Sequence, residues 1–401
     1  MSEAPTPSQP PLDAAFAEAA RLQQQGDFAQ AAEAYGRLAA KALTVNIAVN
    51  LGLCLTECGR FSEAEPWLTL AASHRPQAIE IRRLLGVLYS EMGDVERAEQ
   101  QYRAGLQVAP DDGPLRLALA GLLLSVGRYR EGWPLLEARV ALHPDVVPPI
   151  DVGFPEWRGE DLAGRAILVW YEQGLGDQIQ FARFAQGLKA AGAGHVALGC
   201  RPALAALLAT APGVDEVVPV ARGETVAIRD YDVWSRYFSL AGHLGVTLET
   251  VPGAPYLSAA AGRRERWRGF EGVGLVWRAS PTGFNARNKN VPDDLARRLL
   301  DRGALSLHPE DTGAADFADT AAMVEQLDLV ISIDTSVAHL AGAMGKPCWT
   351  LIPRLHADWR WLRDRDDSPW YPSMRLYRQA EPGDWAPLIA RLEQDLDARR
   401  G

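Results

Sequence analysis

The chain has 401 residues, 47% of them hydrophobic, and a formal net charge of −10. That length calls for two or three domains rather than one core, and the composition is that of a globular, water-soluble protein. The acidic balance lacks the basic footprint of tight nucleic-acid binding, and no apolar run approaches the ~18 residues that span a bilayer.

Residues 1–11 are polar and proline-rich, without the apolar core of a signal peptide. We expect them to be disordered and the protein to be cytoplasmic. Four cysteines are present, Cys54, Cys58, Cys200 and Cys348. Cys54 and Cys58 share a helix face, but no histidine or further cysteine accompanies them, so they read as small buried hydrophobes.

Residues 12–145 carry an internal period. Gly26, Gly59, Gly93 and Gly127 recur every 33–34 residues, each followed by Asp or Arg and then by a large apolar residue. Five residues beyond each glycine stands a small residue (Ala31, Ala64, Ala98, Gly132), and nine beyond a large one (Tyr35, Leu68, Tyr102, Leu136). Pro76, Pro110 and Pro144 close three of the units, while Leu43 stands at that place in the first. Such a unit predicts two antiparallel helices: the glycine turns the chain, the small residues let the helices approach, and the proline ends the second helix. The period and pattern resemble the tetratricopeptide repeat, four copies forming an α-solenoid whose concave groove suits a protein ligand. The individual groove residues that would hold an acceptor are not identified by the pattern.

Pro144, Pro148, Pro149, Gly153 and Pro155 mark residues 146–164 as a connector. Beyond it, short apolar runs alternate with amphipathic stretches. The runs are 167–171, 195–200, 216–219, 273–277, 304–308, 329–333, 347–352 and 374–378. This alternation predicts parallel α/β units. A break over residues 251–268 separates two Rossmann-like lobes, 165–258 and 270–380, followed by a helix over 384–399 expected to pack back across them. A cleft between two such lobes is the expected ligand site.

Three stretches carry candidate chemistry. After the first strand, Gly174 and Gly176 permit a tight turn, and Asp177 enters the first turn of the next helix. A third glycine of a dinucleotide fingerprint is missing, since Ile179 occupies its place. Asp177 serves either as a functional carboxylate or simply as an acid that complements the helix dipole. The second stretch, 285–292, offers Arg287 and Lys289 to a phosphate, or is a solvated basic loop. In the third, a buried strand ends in Asp334, Thr335 and Ser336, and a helix rich in small residues follows. The free N–H groups and hydroxyls there make an anion site, and His339 lies one turn further on. The alternative is a capped helix with a core histidine.

In this order and spacing, the three stretches resemble the heptosyltransferase-like group of GT-B glycosyltransferases, in particular the bacterial branch with N-terminal tetratricopeptide repeats. The resemblance extends through 317–347, Asp358-Trp359-Arg360-Trp361-Leu362 and 366–372. It implies a fold of α plus α/β class, with the solenoid followed by a GT-B fold of two Rossmann-like lobes, the first on the acceptor side and the second holding the nucleotide-sugar donor. It further implies that Asp177 is the catalytic base, and that Gly174, Gly176, Arg287, Lys289, Asp334, Thr335, Ser336 and His339 bind the donor. The implied activity is an inverting, metal-independent transfer, with a nucleotide-sugar as substrate and no cofactor. Ser336 replaces the glycine usual in heptosyltransferases and Val291 the usual tryptophan, so the resemblance carries the fold but does not itself imply ADP-heptose as the donor. Two Asp-x-Asp triplets, 230–232 and 364–366, are read as loops and not as metal sites.

The implied acceptor is a protein held by the repeats. Flagellin is one such acceptor, and its sugar would be a nonulosonic acid such as pseudaminic acid. Two other readings accommodate the sequence: a glycosyltransferase acting on lipopolysaccharide or another glycan, and a non-catalytic repeat protein.

Overall fold

The computed structural model describes residues 12–147, 150–221, 223–224, 228–281, 283 and 285–400. The segment expected to be disordered, 1–11, and the connector prolines Pro148 and Pro149 lie outside the described residues. The chain divides into two compact units, Met1–Leu122 and Leu123–Gly401.

The first unit is built of helix pairs: α1 (Leu12–Gln24) with α2 (Phe28–Lys41), α3 (Val45–Glu57) with α4 (Phe61–His74), α5 (Ile79–Met92) with α6 (Val95–Val108), and then most of α7 (Gly113–Ser125). The turns work as the sequence implies. Gly26, Gly59 and Gly93 take left-handed backbone conformations, with φ of 79°, 75° and 89°, which glycine adopts without a Cβ penalty. After two of them an aspartate caps the next helix: Asp27 accepts from the Gln30 N–H and Asp94 from the Arg97 N–H. Arg60 follows the other glycine and pairs instead with Glu63.

The helices meet through small residues. Ala31, Ala64 and Ala98 are fully buried, as is Leu68. A Cβ at Gly52 would lie 2.6 Å from the Leu68 side chain, and one at Gly86 would lie 2.3 Å from the Tyr102 ring. The glycine in the first helix of a pair therefore makes room for the large residue of the second.

The second unit begins with the end of α7, α8 (Tyr129–Leu136) and the single turn α9 (Arg139–Leu142). The fourth helix pair of the sequence period thus spans the division between units. Next come β1 (Ala166–Trp170), α10 (Leu175–Phe181), α11 (Ala185–Ala190), β2 (His195–Cys200), α12 (Ala205–Leu208), β3 (Glu216–Pro219), β4 (Val233–Arg236) and α13 (Tyr237–His243). These strands form a parallel sheet of order β3-β2-β1-β4. β4 is absent from the runs predicted above; it is a four-residue strand, buried throughout, that follows directly on the 230–232 loop.

The second lobe contains β5 (Val273–Val276), α14 (Ala286–Lys289), α15 (Asp293–Leu300), β6 (Leu305–Ser306), α16 (Pro309–Thr312), α17 (Phe317–Gln326), β7 (Leu329–Ile333), α18 (Ser336–Ala343), β8 (Cys348–Ile352), β9 (Met374–Arg378) and α19 (Ala386–Arg400). Its sheet is parallel, of order β6-β5-β7-β8-β9. Both Asp-x-Asp triplets lie in loops. The final helix, expected to cross between the lobes, packs on the second sheet: Leu388, Ile389, Leu392 and Leu396 join Leu275, Ile331 and Leu351 in one core. The segment between β8 and β9 spans the lobes instead. Trp370 packs against Phe181 and Phe184 of the first lobe, and the Arg183 guanidinium donates to the Trp370 carbonyl at 2.8 Å.

Among the described residues no helix is long and apolar enough to cross a membrane.

Replacing Gly86 with valine forces branched carbon into the space held by the Tyr102 ring. We expect a loss of about 1–3 kcal/mol in denaturant unfolding, the cost of an overpacked core; an unchanged transition would mean that the pair does not pack this closely.

Candidate functional site

In open parallel sheets, ligands bind beyond the carboxyl ends of the strands where the strand order reverses. The first sheet reverses between β1 and β4, where Trp170 lies opposite Arg236. The second reverses between β5 and β7, where Val276 lies opposite Ser332. Asp177 follows β1, and Asp334, Thr335 and Ser336 follow β7, so the first and third candidate stretches stand at the two reversal points.

The loop after β1 is shaped by its own hydrogen bonds. Gln173 takes a left-handed conformation, with φ of 61°, rare for a residue with a Cβ. Its N–H donates to the Val146 carbonyl at 2.6 Å. The Gly174 N–H donates to Asp177 Oδ2 at 2.8 Å, closing the first turn of α10. Upstream, Glu172 is fully buried and bound on both oxygens by Arg139, at 2.9 Å each; its Oε1 also accepts the Phe238 N–H at 2.8 Å. The turn α9 thereby holds the root of the loop that carries Asp177.

The lobes touch at Gly176. A Cβ there would lie 2.7 Å from His339 Cδ2 and 3.3 Å from Ser336 Cα, so only glycine lets α10 approach α18 this closely. His339 is buried, stacked on Trp361 at 5.3 Å, with Nδ1 3.0 Å from the Tyr371 hydroxyl. Burial lowers its pKa well below the ordinary histidine value, and the nearby Arg360, Arg183 and Lys289 charges add to this. It is a neutral imidazole that joins the lobes by packing.

Asp177 meets Arg360, which the sequence reading did not single out. The guanidinium donates to Asp177 Oδ1 at 2.6 Å, to both oxygens of Asp358 at 2.9 and 2.8 Å, and to Gln180 Oε1. Burial opposes the guanidinium charge, but the Asp358 and Asp177 carboxylates outweigh it and raise its pKa. The Asp177 side chain keeps 21% of its surface exposed, enough for an approaching group to reach it. Burial raises the Asp177 pKa above the ordinary value; Arg360 opposes this, and Asp358 reinforces it. The signal for Arg360 was present in the Asp358-Trp359-Arg360-Trp361 alternation, which places both charges on one short turn.

On the other side of α18, Lys289 Nζ lies 3.8 Å from Asp334 Oδ2, both side chains 12% exposed. Burial raises the Asp334 pKa, against the opposing pull of Lys289. Thr335 is the N-cap residue of α18, its hydroxyl 3.1 Å from Ser332 Oγ. Thr335 and Ser336 line a cavity of about 640 Å³ at the carboxyl ends of β5, β6 and β7. Leu175 of the first lobe forms part of its wall, with Arg278, His308, Glu310 and Phe317 from the second.

The other expected donor contacts lie elsewhere. Arg287 is exposed on a second cavity of about 430 Å³ with Asn285 and His356. Gly174 and Gly176 shape the loop and the lobe contact as described, and neither they nor Asp177, Lys289, Asp334 or His339 line the larger cavity, whose wall takes only Thr335 and Ser336 from the expected site residues. Asp319, at the start of α17, is buried and held by Arg263 at 2.7 Å and the Trp267 indole at 3.1 Å. It ties the inter-lobe segment to α17. Among the described residues no group of three or more His, Cys, Asp or Glu side chains is placed to hold a metal.

Fold and site together define a chain with one unit of repeated helix pairs and one unit with two parallel α/β sheets. Residues 57–114 match the tetratricopeptide repeat family. The chain is 25% identical, over an alignment of 434 positions, to Protein FlbA of Caulobacter vibrioides (strain ATCC 19089 / CIP 103742 / CB 15), covering 86% of this chain and 72% of that protein. Among solved structures, the MamA MSR-1 C2 structure is 22% identical over 34% of this chain and 78% of its own, with a TM-score of 0.29. A tetratricopeptide repeat protein from Parabacteroides merdae ATCC 43184 is 21% identical over 34% of this chain and 55% of its own, also with a TM-score of 0.29.

Arg139→Ala leaves Glu172 charged and buried without its partner. Breaking such a pair costs about 3–5 kcal/mol, and we expect that loss in the denaturant unfolding of the full chain. In Gly176→Ala, the added methyl separates α10 from α18; faster amide exchange over 336–343 would register it, and wild-type protection would refute the close contact.

Proposed function

We propose that this protein is an inverting glycosyltransferase of GT-B type that moves a sugar from a nucleotide-sugar to a protein acceptor held by the repeats. The observation that carries the reading is the position of the larger cavity. It lies at the reversal point of the second sheet, against the N-terminus of α18, and its wall includes Leu175, two residues from Asp177. A donor seated there would place its phosphate at Thr335 and Ser336, where helix N–H groups and hydroxyls stabilise negative charge. Its anomeric carbon would then face the Asp177 carboxylate.

The proposed step balances simply. Asp177 takes the proton of the acceptor hydroxyl as its oxygen bonds to the anomeric carbon. The bond from that carbon to the phosphate oxygen breaks, and the nucleotide leaves with the electron pair. Lys289 supplies a mobile positive charge for the phosphate, and Asp334 holds that lysine in reserve. Flagellin bearing a nonulosonic acid is one acceptor–sugar pair of this kind, supported by the resemblance of the sequence motifs.

Asp177→Asn is the direct test. We expect transfer, read as a mass shift of the acceptor, to fall about 10²–10⁴-fold while nucleotide-sugar binding by calorimetry persists; wild-type transfer by the variant would remove Asp177 as the base. Because burial raises the pKa of Asp177, the base is ionised only above that raised value. The rate should therefore fall on acidification at a pH above the ordinary aspartate value of about 3.9, and this limb should be absent from any residual rate of the asparagine variant. Deleting residues 1–109 removes three helix pairs and leaves α7 whole. Loss of protein modification with donor hydrolysis retained fits a protein acceptor, whereas full activity on a glycan would favour the lipopolysaccharide reading.

A further inference from the structure

The Asp177 carboxylate is completed from both lobes. Its Oδ2 is held by the Gly174 N–H of its own loop, at 2.8 Å. Its Oδ1 is held by Arg360, which belongs to the β8–β9 segment of the second lobe, at 2.6 Å. Each oxygen keeps a further lone pair for an incoming hydroxyl. Arg360 is itself fixed on every side: Asp358 binds it through two oxygens, Gln180 Oε1 accepts from Nε, and Phe238 and Trp359 face the guanidinium at 5.1 and 4.6 Å. Such a cation is buried for what it touches, since a guanidinium confined this way loses its freedom as well as its hydration.

We propose that Arg360 is the positioning residue of Asp177, a charge supplied by the second lobe that orients and ionises the first lobe's carboxylate, so that the base is assembled only with the lobes together. The inference rests on the reading of Asp177 as base. The groups that surround Asp177 define its electrostatics. Arg360 favours its charge, Asp358 and Glu172 oppose it, and Arg139 already neutralises Glu172. α18 presents the neutral His339 beside Gly176, and α13 presents the Phe238 ring. Arg360 and Asp358 therefore push Asp177 in opposite directions from the same short turn.

The experiment uses the full chain with ¹³Cγ-labelled aspartate, the Asp177 resonance being assigned by its loss in Asp177→Asn, and titrates it in two variants. In Arg360→Gln the midpoint should rise by about 1–3 pH units, the effect of removing a cation at this range. In Asp358→Asn it should fall, because the opposing carboxylate is gone while Arg360 remains. The acid limb of the transfer rate should move with each midpoint. Should Arg360→Gln not fold, Arg360→Lys, which keeps a cation but loses the fork shared by Asp177 and Asp358, decides instead, and its midpoint should also rise. A midpoint that is unmoved in the folded Arg360 variant overturns the proposal. If the midpoints shift as expected but the wild-type protein transfers no sugar to any acceptor, the transferase reading fails and the positioning of Asp177 by Arg360 stands.

Discussion

A guanidinium taken out of water must be surrounded by acceptors, and in the α/β unit three arginines meet that requirement by joining elements far apart in the chain. Arg360 binds Asp177, Asp358 and Gln180. Arg183 reaches the carbonyls of Pro252 and Trp370 at 2.9 and 2.8 Å and stacks on Tyr371 at 4.5 Å. Arg139 fixes Glu172, Glu137 and Ser239. Removing a carboxylate partner of Arg360 or Arg139 leaves an uncompensated charge, which is far more costly than the pair is stabilising. The geometry around Asp177 is thus set by where these cations find oxygen.

The second constraint is the absence of side chains. Gly176 lets α10 reach α18 and come against His339, whose pKa burial lowers well below the ordinary value. The aromatic cluster of Tyr129, Trp133, Trp359 and Trp370 fills the neighbouring space, with the Trp370 indole donating to the Tyr129 hydroxyl at 2.9 Å. Trp359 and Trp361 flank Arg360 in sequence, one facing this cluster and the other His339. A single turn of chain therefore presents aromatic packing on both sides and a cation between them.

What could be read in the sequence follows the range of the interactions. The helix pairs were legible because glycine, small residue, large residue and proline all act within one period, as Gly86 and Tyr102 do. Eight of the nine strands among the described residues overlap the runs read from the sequence. β4 escaped because its core residues Val233 and Trp234 are followed by Ser235 and Arg236, polar but buried, and β6 is only two residues long within a longer apolar run. Asp177, Asp334 and His339 were visible as types at strand ends. Their partners were not. Arg360 lies 183 residues from Asp177, and no local pattern encodes which carboxylate a distant arginine will meet. Trp277 and Asp319 are likewise bound into the framework, the Trp277 indole by Asp293 at 2.7 Å and Asp319 by Arg263 and Trp267.

The two ion pairs flanking α18 differ in a way that bears on their roles. Arg360 is a planar fork, engaged through Nε and both terminal nitrogens and held against rings. Lys289 is a point charge on a flexible stem, 3.8 Å from Asp334. The first pair resists rearrangement because moving the guanidinium would strand two carboxylates at once. The second is a single longer contact made by one ammonium. On the proposed reading, chemistry asks for this asymmetry: the base must not move while a proton passes to it, whereas the donor's phosphate gains charge and needs a cation free to follow. A phosphate at Thr335 and Ser336 would draw Lys289 from Asp334, whose raised pKa lets it accept a proton when its partner leaves. Rigid charge on the acceptor side and exchangeable charge on the donor side then follow from the choice of arginine at 360 and lysine at 289.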